Sequence, residues 1–297
     1  MTENAIPPCE QIGRPTVVAV DGSAFSYYAV AWAAADAALY RRKLSIVTSI
    51  RTGFGPVPRS TDADVVRRRT AERVLAEACD VARKAALDET LPVEADLIDE
   101  PVAAYLIDCS RGSRMVVVGN RGLGAFRRRL PGSVSAAVIK HAQCPVGIVR
   151  SAPATDAESV GEPVLVGVDG TRHCLPAVLL AFEEASRREV ELIALHAWSD
   201  TRGANLIPTW DAVRELEDAA LAESLAGFGE RYPEVSVRRI LVHDSPVRCL
   251  TEESRSAQLL VVGSRRGNRR GATGVLPCSI TSALANSVEC PIIVART

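Results

Sequence analysis

The sequence predicts an α/β protein made of two tandem, doubly wound, open parallel sheets of five strands each. Two observations support this prediction. Short apolar runs bounded by turn residues alternate with longer helical segments, an order typical of parallel sheets covered by helices on both faces. The same order starts again halfway along the 297 residues, a length of about two ordinary domains. A parallel sheet with right-handed crossovers is therefore expected in each half.

The first half contains five apolar runs typical of buried strands, with a helical segment between each pair. The alanine-rich segment AVAWAAADAALY favours a helix, and the long second helix carries dense charge on one face. Strands are predicted over residues 15–20, 44–50, 93–98, 115–118 and 145–149, and helices over 24–42, 62–89, 102–111 and 133–141.

Three stretches of the first half recur in the second. TVVAVDGS at 16–23 matches VLVGVDGT at 164–171, RMVVVGNRG at 114–122 matches QLLVVGSRRG at 258–267, and KHAQCPVGIVR at 140–150 matches NSVECPIIVAR at 286–296. An internal repeat of this kind determines the domain organisation. We expect a disordered lead over 1–14, a first domain over 15–150, a polar linker over 151–162 and a second domain over 163–297.

The composition argues against several classes of protein. Hydrophobic residues make up 47% and charged residues 24%, and the net charge of −1 gives no bulk attraction to nucleic acid or to an anionic membrane. No apolar run approaches the length of a membrane span, and the N-terminus lacks the apolar core of a secretory signal. Eight scattered cysteines without a C-x-x-C pair favour reduced thiols over a disulfide frame or a zinc site. We therefore expect a cytoplasmic protein without a metal site.

The stretch from Gly119 to Ser135, GNRGLGAFRRRLPGSVS, predicts a phosphate-binding loop. It joins the fourth predicted strand to a short helix, and a helix N-terminus offers unpaired N–H groups and a partial positive charge to an anion. Glycines let the backbone approach a bulky ligand, serines add hydroxyl donors, and arginines add positive charge. The residues concerned are Gly119, Gly122, Gly124, Ser133, Ser135, Arg121, Arg127, Arg128 and Arg129. The alternative is a flexible connector without a ligand.

The spacing separates this loop from two commoner phosphate loops. A Walker A loop has a lysine after its last glycine, where Ser133 stands, and the dinucleotide fingerprint keeps its glycines in one tight turn after the first strand. The loop is instead Gly119-x2-Gly122-x9-Gly132-Ser133, which resembles the G-x2-G-x9-G-[ST] ATP loop of the universal stress protein family. The resemblance covers nearly the whole chain, from about residue 15 to residue 297.

That resemblance implies an adenine nucleotide alpha-hydrolase-like fold with strand order 3-2-1-4-5 in each sheet. It also implies a cytoplasmic, stress-responsive regulator that binds ATP, with Mg²⁺ as an optional companion ion. Members of this family commonly form homodimers, and an unidentified protein partner fits the same role. They are not usually dedicated catalysts.

In that strand order, strands 1 and 4 lie side by side at the switch point, where ligands bind beyond the carboxyl ends of the strands. Asp21 ends one strand and Gly119 the other, so the two are expected to flank one crevice. The small Ala19 leaves room for a nucleoside, and Asp21 can accept a hydrogen bond from a ribose hydroxyl or an adenine amino group. The alternative for Asp21 is a turn residue or a helix cap. The predicted nucleotide site comprises Ala19, Asp21, Gly119, Asn120, Arg121, Gly122, Leu123, Gly124, Arg129, Gly132, Ser133, Val134 and Ser135.

The second copy of the site departs from the pattern. Arg266 stands where the second motif glycine belongs, the loop is longer, and Cys278 falls opposite Gly132. A β-carbon at a backbone position that needs positive φ costs about 1 kcal/mol or more. The arginines of this loop leave anion binding open. We therefore expect a second, weaker site made of Gly167, Asp169, Asp200, Gly263, Ser264, Arg265, Arg266, Gly267, Ser279 and Ile280.

No catalytic set emerges from the sequence, which lacks an arguable pair of carboxylates, a Ser-His-Asp order or a metal-ligand cluster. The four histidines are expected to be structural or exposed, and His196, near the crevice, is the least certain. Two other functions stay open. One is a slow ATP-hydrolysing or phosphate-transferring enzyme, in which Ser133 or Ser135 could supply a nucleophile. The other is a nucleotide-free dimerisation or partner-binding module in the C-terminal half.

Overall fold

The computed structural model describes residues 13–51, 61–86, 90–120, 133–151, 161–198, 210–264 and 278–296. These residues divide into two compact units, the first ending at residue 151 and the second beginning at residue 161. The predicted lead and linker lie mostly outside the described residues. Each unit contains an open parallel sheet with helices between its strands. Within the described ranges, no helix is both long enough and apolar enough to cross a bilayer.

The first unit alternates strands and helices from its beginning to its end. Its elements are β1 (Thr16–Ala19), α1 (Ala24–Leu39), β2 (Leu44–Ser49), α2 (Thr61–Ala86), β3 (Val93–Ile98), α3 (Val102–Cys109), β4 (Met115–Gly119), α4 (Ser133–His141) and β5 (Val146–Val149). The strand order is β3-β2-β1-β4-β5. The predicted fold class and the 3-2-1-4-5 order are therefore confirmed.

The second unit repeats this plan. Its elements are β6 (Val164–Val168), a 3₁₀ helix (Arg172–Cys174), α5 (Leu175–Arg188), β7 (Leu192–Trp198), α6 (Trp210–Leu225), the short α7 (Phe228–Arg231), β8 (Val237–His243), α8 (Pro246–Glu253), a 3₁₀ helix (Ser254–Ser256), β9 (Leu259–Ser264), α9 (Cys278–Ser287) and β10 (Ile292–Arg296). The strand order β8-β7-β6-β9-β10 corresponds strand by strand to that of the first unit.

The central strands form the core of each unit. β4 reads MVVVG and is buried over its first four residues, and β9 reads LLVVGS with the same burial. Such nearly continuous apolar runs are typical of parallel strands that helices cover on both faces. The edge strand β3, VEADLI, is largely exposed in its middle, because it has a neighbour on one side only.

The first helix is shorter than the sequence predicted. α1 ends at Leu39 instead of residue 42, because Arg41 adopts a left-handed φ of 50° that a helix cannot continue. The N–H of Arg42 donates to the carbonyl oxygen of Ala37 at 2.8 Å, which closes the helix end. The predicted extension over residues 40–42 is therefore wrong.

A buried ion pair joins α1 to the start of β4. Nη1 of Arg114 lies 2.6 Å from Oδ2 of Asp36, and their side chains are 8% and 0% exposed. The guanidinium carbon of Arg114 also lies 3.4 Å from the centre of the Tyr40 ring. In the second unit the corresponding helix keeps its ion pair within itself, since Nη2 of Arg188 lies 3.1 Å from Oε2 of Glu184.

Candidate functional site

The carboxyl ends of β1 and β4 meet at one edge of the first sheet. The two strands pair in parallel, with Val18 opposite Val117, and β2 flanks β1 on the other side. Ala19, the last residue of β1, is partly buried. The turn after β1 and the end of β4 are therefore neighbours at a switch point of the sheet.

Asp21 lies in an exposed turn between β1 and α1. Its oxygen Oδ1 accepts a hydrogen bond of 3.0 Å from the N–H of Ser23, and Gly22 has a left-handed φ of 85°. Ser23 rather than Asp21 caps α1, because its hydroxyl accepts from the N–H of Ser26 at 3.3 Å. Asp21 therefore acts as a turn residue, one of the roles left open by the sequence, and the turn fixes the orientation of its carboxylate.

Two buried hydroxyls support this turn, and sequence reasoning missed both. Thr48 on β2 donates to the carbonyl oxygen of Val20 at 2.7 Å. Ser26 donates to the carbonyl oxygen of Ser23 at 2.8 Å and accepts from the N–H of Asp21 at 3.3 Å. Thr48 and Ser26 are each 4% exposed. No local signal marks Thr48, because only the pairing of β1 with β2 brings it to the turn, whereas Ser26 lies three residues after Ser23 and belongs to the local Ser-x-x-Ser spacing.

Gly119 has a packing reason to be glycine. A β-carbon there would lie 2.9 Å from the carbonyl oxygen of Phe25 and 3.2 Å from the nitrogen of Ser26, at the start of α1. Asn120 follows, is 1% exposed, and donates its N–H to the carbonyl oxygen of Val149 at 2.9 Å. Gly119 therefore lets α1 approach β4 closely, whether or not a ligand binds.

α4 begins at Ser133, as predicted. Within its first turn Ser133 is exposed, Val134 is partly buried and Ser135 is buried. Of the two predicted hydroxyl donors, Ser133 is therefore the more accessible to a ligand. The other predicted loop residues, Arg121, Gly122, Leu123, Gly124, Arg129 and Gly132, lie outside the described residues.

The second unit keeps an aspartate turn at the corresponding edge. Oδ1 of Asp169 accepts from the N–H of Thr171 at 3.0 Å and from its hydroxyl at 2.7 Å. Gly170 has a left-handed φ of 69°. The hydroxyl of Thr171 also accepts from the N–H of His173 at 3.3 Å, at the start of the 3₁₀ helix. The turn therefore fixes the orientation of this second carboxylate as well.

Gly263 and Gly167 in the second site would make different contacts from Gly119 if each carried a β-carbon. A β-carbon at Gly263 would lie 3.5 Å from the carbonyl oxygen of His173, an ordinary contact, against 2.9 Å from Phe25 at Gly119. A β-carbon at Gly167 would lie 3.1 Å from Cδ1 of Leu250 on α8. Gly167 therefore makes room for a core leucine.

The rest of the second site is described only in part. Ser264 ends β9, and its hydroxyl donates to the carbonyl oxygen of Ala295 at 3.0 Å. Ile280, in the first turn of α9, is 43% exposed, and Ser279 precedes it in the helix. The remaining predicted residues, Asp200, Arg265, Arg266 and Gly267, lie outside the described residues.

His196 is buried near the end of β7, with both ring nitrogens engaged. Nδ1 lies 2.8 Å from the carbonyl oxygen of Val168, and Nε2 lies 2.9 Å from Oε2 of Glu217 on α6. The residue is 4% exposed. Because both ring nitrogens are engaged within the protein, His196 is not placed to exchange a proton with a ligand.

Three thiols in the described ranges are poor candidates for a nucleophile, and the potential metal ligands do not cluster there. Burial raises the pKa of the Cys174 and Cys249 thiols, and it raises the pKa of Cys290 to about 12. Such thiols stay protonated at neutral pH and are poor nucleophiles. No group of three or more His, Cys, Asp or Glu side chains among the described residues is placed to hold a metal ion.

Each unit therefore combines a doubly wound parallel sheet with an aspartate turn beside a strand that ends in or near a glycine. This combination defines a class of tandem α/β proteins. In each unit the carboxyl ends of the central strands form a ligand edge, the side of the sheet where a ligand can bind. The sequence model of the universal stress protein family matches residues 14–150 and 162–296. The chain belongs to the universal stress protein family, so the predicted family is confirmed.

Relatives of known sequence agree with this assignment over most of the chain. Universal stress protein Rv2005c of Mycobacterium tuberculosis H37Rv is 40% identical over 286 residues, which cover 94% of this chain and 96% of that relative. A universal stress protein of Mycolicibacterium smegmatis is 39% identical over 286 residues, with 94% and 96% covered. The crystal structure of a universal stress protein from Archaeoglobus fulgidus DSM 4304 has a TM-score of 0.68 at 18% identity, covering 95% of this chain and 98% of that chain. At that identity, the likeness to the solved structure concerns the fold alone.

Proposed function

We propose that this chain is a nucleotide-dependent regulator whose first unit binds ATP at the edge formed by β1 and β4. The observation that carries the proposal is the parallel pairing of these strands, which makes the Asp21 turn a neighbour of Gly119 and Asn120. Ligands of doubly wound sheets bind at such an edge. The proposal includes an optional Mg²⁺ ion and the homodimer and protein partner that fit the family, together with the cytoplasmic location that both the family and the composition favour.

In the proposed complex the triphosphate lies on residues 119–135 and the nucleoside lies on Asp21. The exposed Ser133 begins α4, and the N–H groups of a helix start attract an anion. The carboxylate of Asp21 would repel a phosphate, but it can accept hydrogen bonds from a ribose or from an adenine amino group. The start of α4 attracts an anion and the Asp21 carboxylate repels one, which supports this orientation of the nucleotide.

The first prediction tests the role of Asp21. Asp21→Asn should weaken ATP and ADP by similar factors, each roughly ten- to hundredfold, because a hydrogen bond to a charged group contributes about 1.5–3 kcal/mol. Calorimetry on the full chain measures both affinities. Asp108→Asn is the control, since this exposed carboxylate lies near the end of α3, at the opposite edge of the sheet.

A loss confined to ATP would contradict this placement and assign Asp21 to the γ-phosphate. Unchanged affinity for both nucleotides would remove Asp21 from the site. Identification of the nucleotide that co-elutes with the purified chain tests the ligand itself. Multiple rapid turnovers of ATP would favour the enzyme alternative, whereas nucleotide exchange coupled to a partner would favour the regulator.

A further inference from the structure

The two units support their aspartate turns with different side chains at one equivalent position. In the first unit, Thr48 on β2 donates to the carbonyl oxygen of Val20, just before the aspartate. In the second unit, Nδ1 of His196 on β7 makes the corresponding bond to Val168. Val168 and His196 are partners in the β6–β7 register, and Thr48 follows the last registered position of β2 against β1.

The helix position beneath each turn also differs between the units. A β-carbon at Gly22 would lie 3.1 Å from Cγ2 of Val74 on α2. A β-carbon at Gly170 would lie 3.4 Å from Cβ of Ala220 on α6 and 3.8 Å from Cε1 of His196. Val74 and Ala220 therefore occupy equivalent positions. The smaller alanine leaves space beneath the second turn, and the histidine ring lies in it.

A third position changes with these two. Three residues before Val74 the first unit has the buried Ala71, and three residues before Ala220 the second unit has Glu217. The second unit thus has different residues at all three positions. The corresponding pairs are Thr48 and His196, Ala71 and Glu217, and Val74 and Ala220. The replacements compensate one another in volume and in hydrogen bonding, which indicates that the three positions act as one unit.

The histidine and the glutamate must hold one proton between them. A carbonyl oxygen can only accept, so Nδ1 of His196 carries a hydrogen directed at Val168. Nε2 then faces a carboxylate oxygen of Glu217 at 2.9 Å, and a proton must lie between these atoms for the contact to be attractive. After loss of that proton the neutral ring has one hydrogen for two acceptors, and the charge-assisted bond from Nε2 to Glu217 is preferred over the bond from Nδ1 to Val168.

Other charged and titratable groups lie on the elements packed around this pair. In the described residues they are Asp169 in the turn, His173 and Cys174 in the 3₁₀ helix that follows it, His243 on β8 beyond Trp198, and the Asp218–Arg239 ion pair between α6 and β8. The negative charge of Asp169 favours the protonated pair, and a protonated His243 disfavours it. Burial raises the pKa of Cys174, so its thiol stays neutral.

We propose that His196 and Glu217 are positioning residues that make the ligand edge of the second unit sensitive to pH, while that of the first unit is not. With the shared proton in place, the ring holds the carbonyl before Asp169 and supports the turn. As pH rises and the proton leaves, this support is lost. The hydroxyl of Thr48 does not titrate, so the first turn is unaffected. The effect on ligand affinity rests on the proposed nucleotide function, whereas the response of the turn does not.

The main test uses the full chain without ligand. The N–H of Thr171 donates to Asp169, and the N–H of Ser23 makes the same bond to Asp21. Both amides are followed in a His173→Gln background, which removes the imidazole next to Thr171, by ¹H–¹⁵N NMR from about pH 5 to about pH 8, where histidine ordinarily titrates. We expect the Thr171 resonance to titrate and the Ser23 resonance to stay constant. Equal responses, or constant positions for both, would overturn the proposal.

Two variants separate positioning from simple packing. Glu217→Gln keeps a partner for Nε2 in either protonation state of the ring, so the titration of Thr171 should flatten. The triple variant His196→Thr/Glu217→Ala/Ala220→Val installs the first-unit residues with matched volume, and Thr171 should then be as constant as Ser23. A titration of Thr171 that persists in the triple variant would overturn the proposal even if Glu217→Gln fails to fold.

The effect on the ligand is measured by calorimetry with ATP in full-length Asp21→Asn, at both ends of the same pH range. We expect the second unit to bind ATP at least about threefold more weakly at the higher pH. The triple variant in the same background corrects for titration of ATP itself. Equal pH dependence in both would overturn the link to affinity. Absence of ATP binding at either pH would overturn the nucleotide proposal for this unit, while the amide measurement would still decide the role of the pair.

Discussion

At the scale of the residue, there are two physical reasons for a glycine at position 119. The sequence suggests that glycine lets the backbone approach a nucleotide. The structure adds the start of α1, since a β-carbon would lie 2.9 Å from the carbonyl oxygen of Phe25. The corresponding distance at Gly263 is 3.5 Å, from His173. The two strand-end glycines are therefore not equivalent.

We expect Gly119→Ala to lower the free energy of unfolding by about 1–3 kcal/mol, because the backbone of α1 cannot yield as a side chain would. Gly263→Ala is the matched control and should change it by less than about 0.5 kcal/mol. Urea denaturation of the two full-length variants measures both values. Similar losses in the two variants would contradict the packing role of Gly119.

At the scale of the element, α1 is fastened to β4 through charge as well as through apolar contacts. Asp36 and Arg114 form an ion pair with almost no exposure, and the guanidinium stacks on Tyr40. By contrast, the Arg111–Asp108 pair on the surface has side chains 68% and 83% exposed. Burial decides their different contributions, because an uncompensated buried charge costs far more than an exposed one.

Arg114→Leu should therefore lower the free energy of unfolding by about 3–5 kcal/mol, since it leaves the Asp36 carboxylate buried without its cation. Arg111→Leu should cost less than about 1 kcal/mol. Thermal or urea unfolding checks both. Adding Asp36→Leu to Arg114→Leu should restore much of the loss, and a double variant as unstable as Arg114→Leu would show that packing of the arginine matters more than its charge.

At the scale of the whole molecule, the two units share a fold and differ at their ligand edges. Arg266 and Cys278 replace two motif glycines in the second loop. One strained backbone position costs about as much free energy as a tenfold change in affinity, about 1.4 kcal/mol. The units are therefore expected to be unequal in nucleotide binding.

We expect the first unit to bind ATP at least about tenfold more tightly than the second. In the full chain, Asp21→Asn should remove most of the tight binding, and Asp169→Asn should leave it nearly intact. Calorimetry at one pH decides between these outcomes. Equal losses would show that the longer, arginine-rich loop compensates for its missing glycines.

The elements, their alternation and the repeat could all be predicted from the sequence, because each of these is a pattern of neighbouring residues. The bounds of β3 and the start of α4 at Ser133 are as predicted, since an apolar run and a helix start are visible within a few residues. The glycine spacing indicated the family. The nucleotide site remains a prediction, with part of its loop outside the described residues.

The distant side chains that support the turns and the helices could not be predicted from the sequence and are visible only in the folded chain. Thr48 meets Val20 from 28 residues away, Arg114 meets Asp36 from 78 residues away, and His196 meets Glu217 from 21 residues away. These contacts depend on which strands and helices lie side by side. No local spacing encodes that arrangement, because it results from burying apolar faces of the whole unit at once.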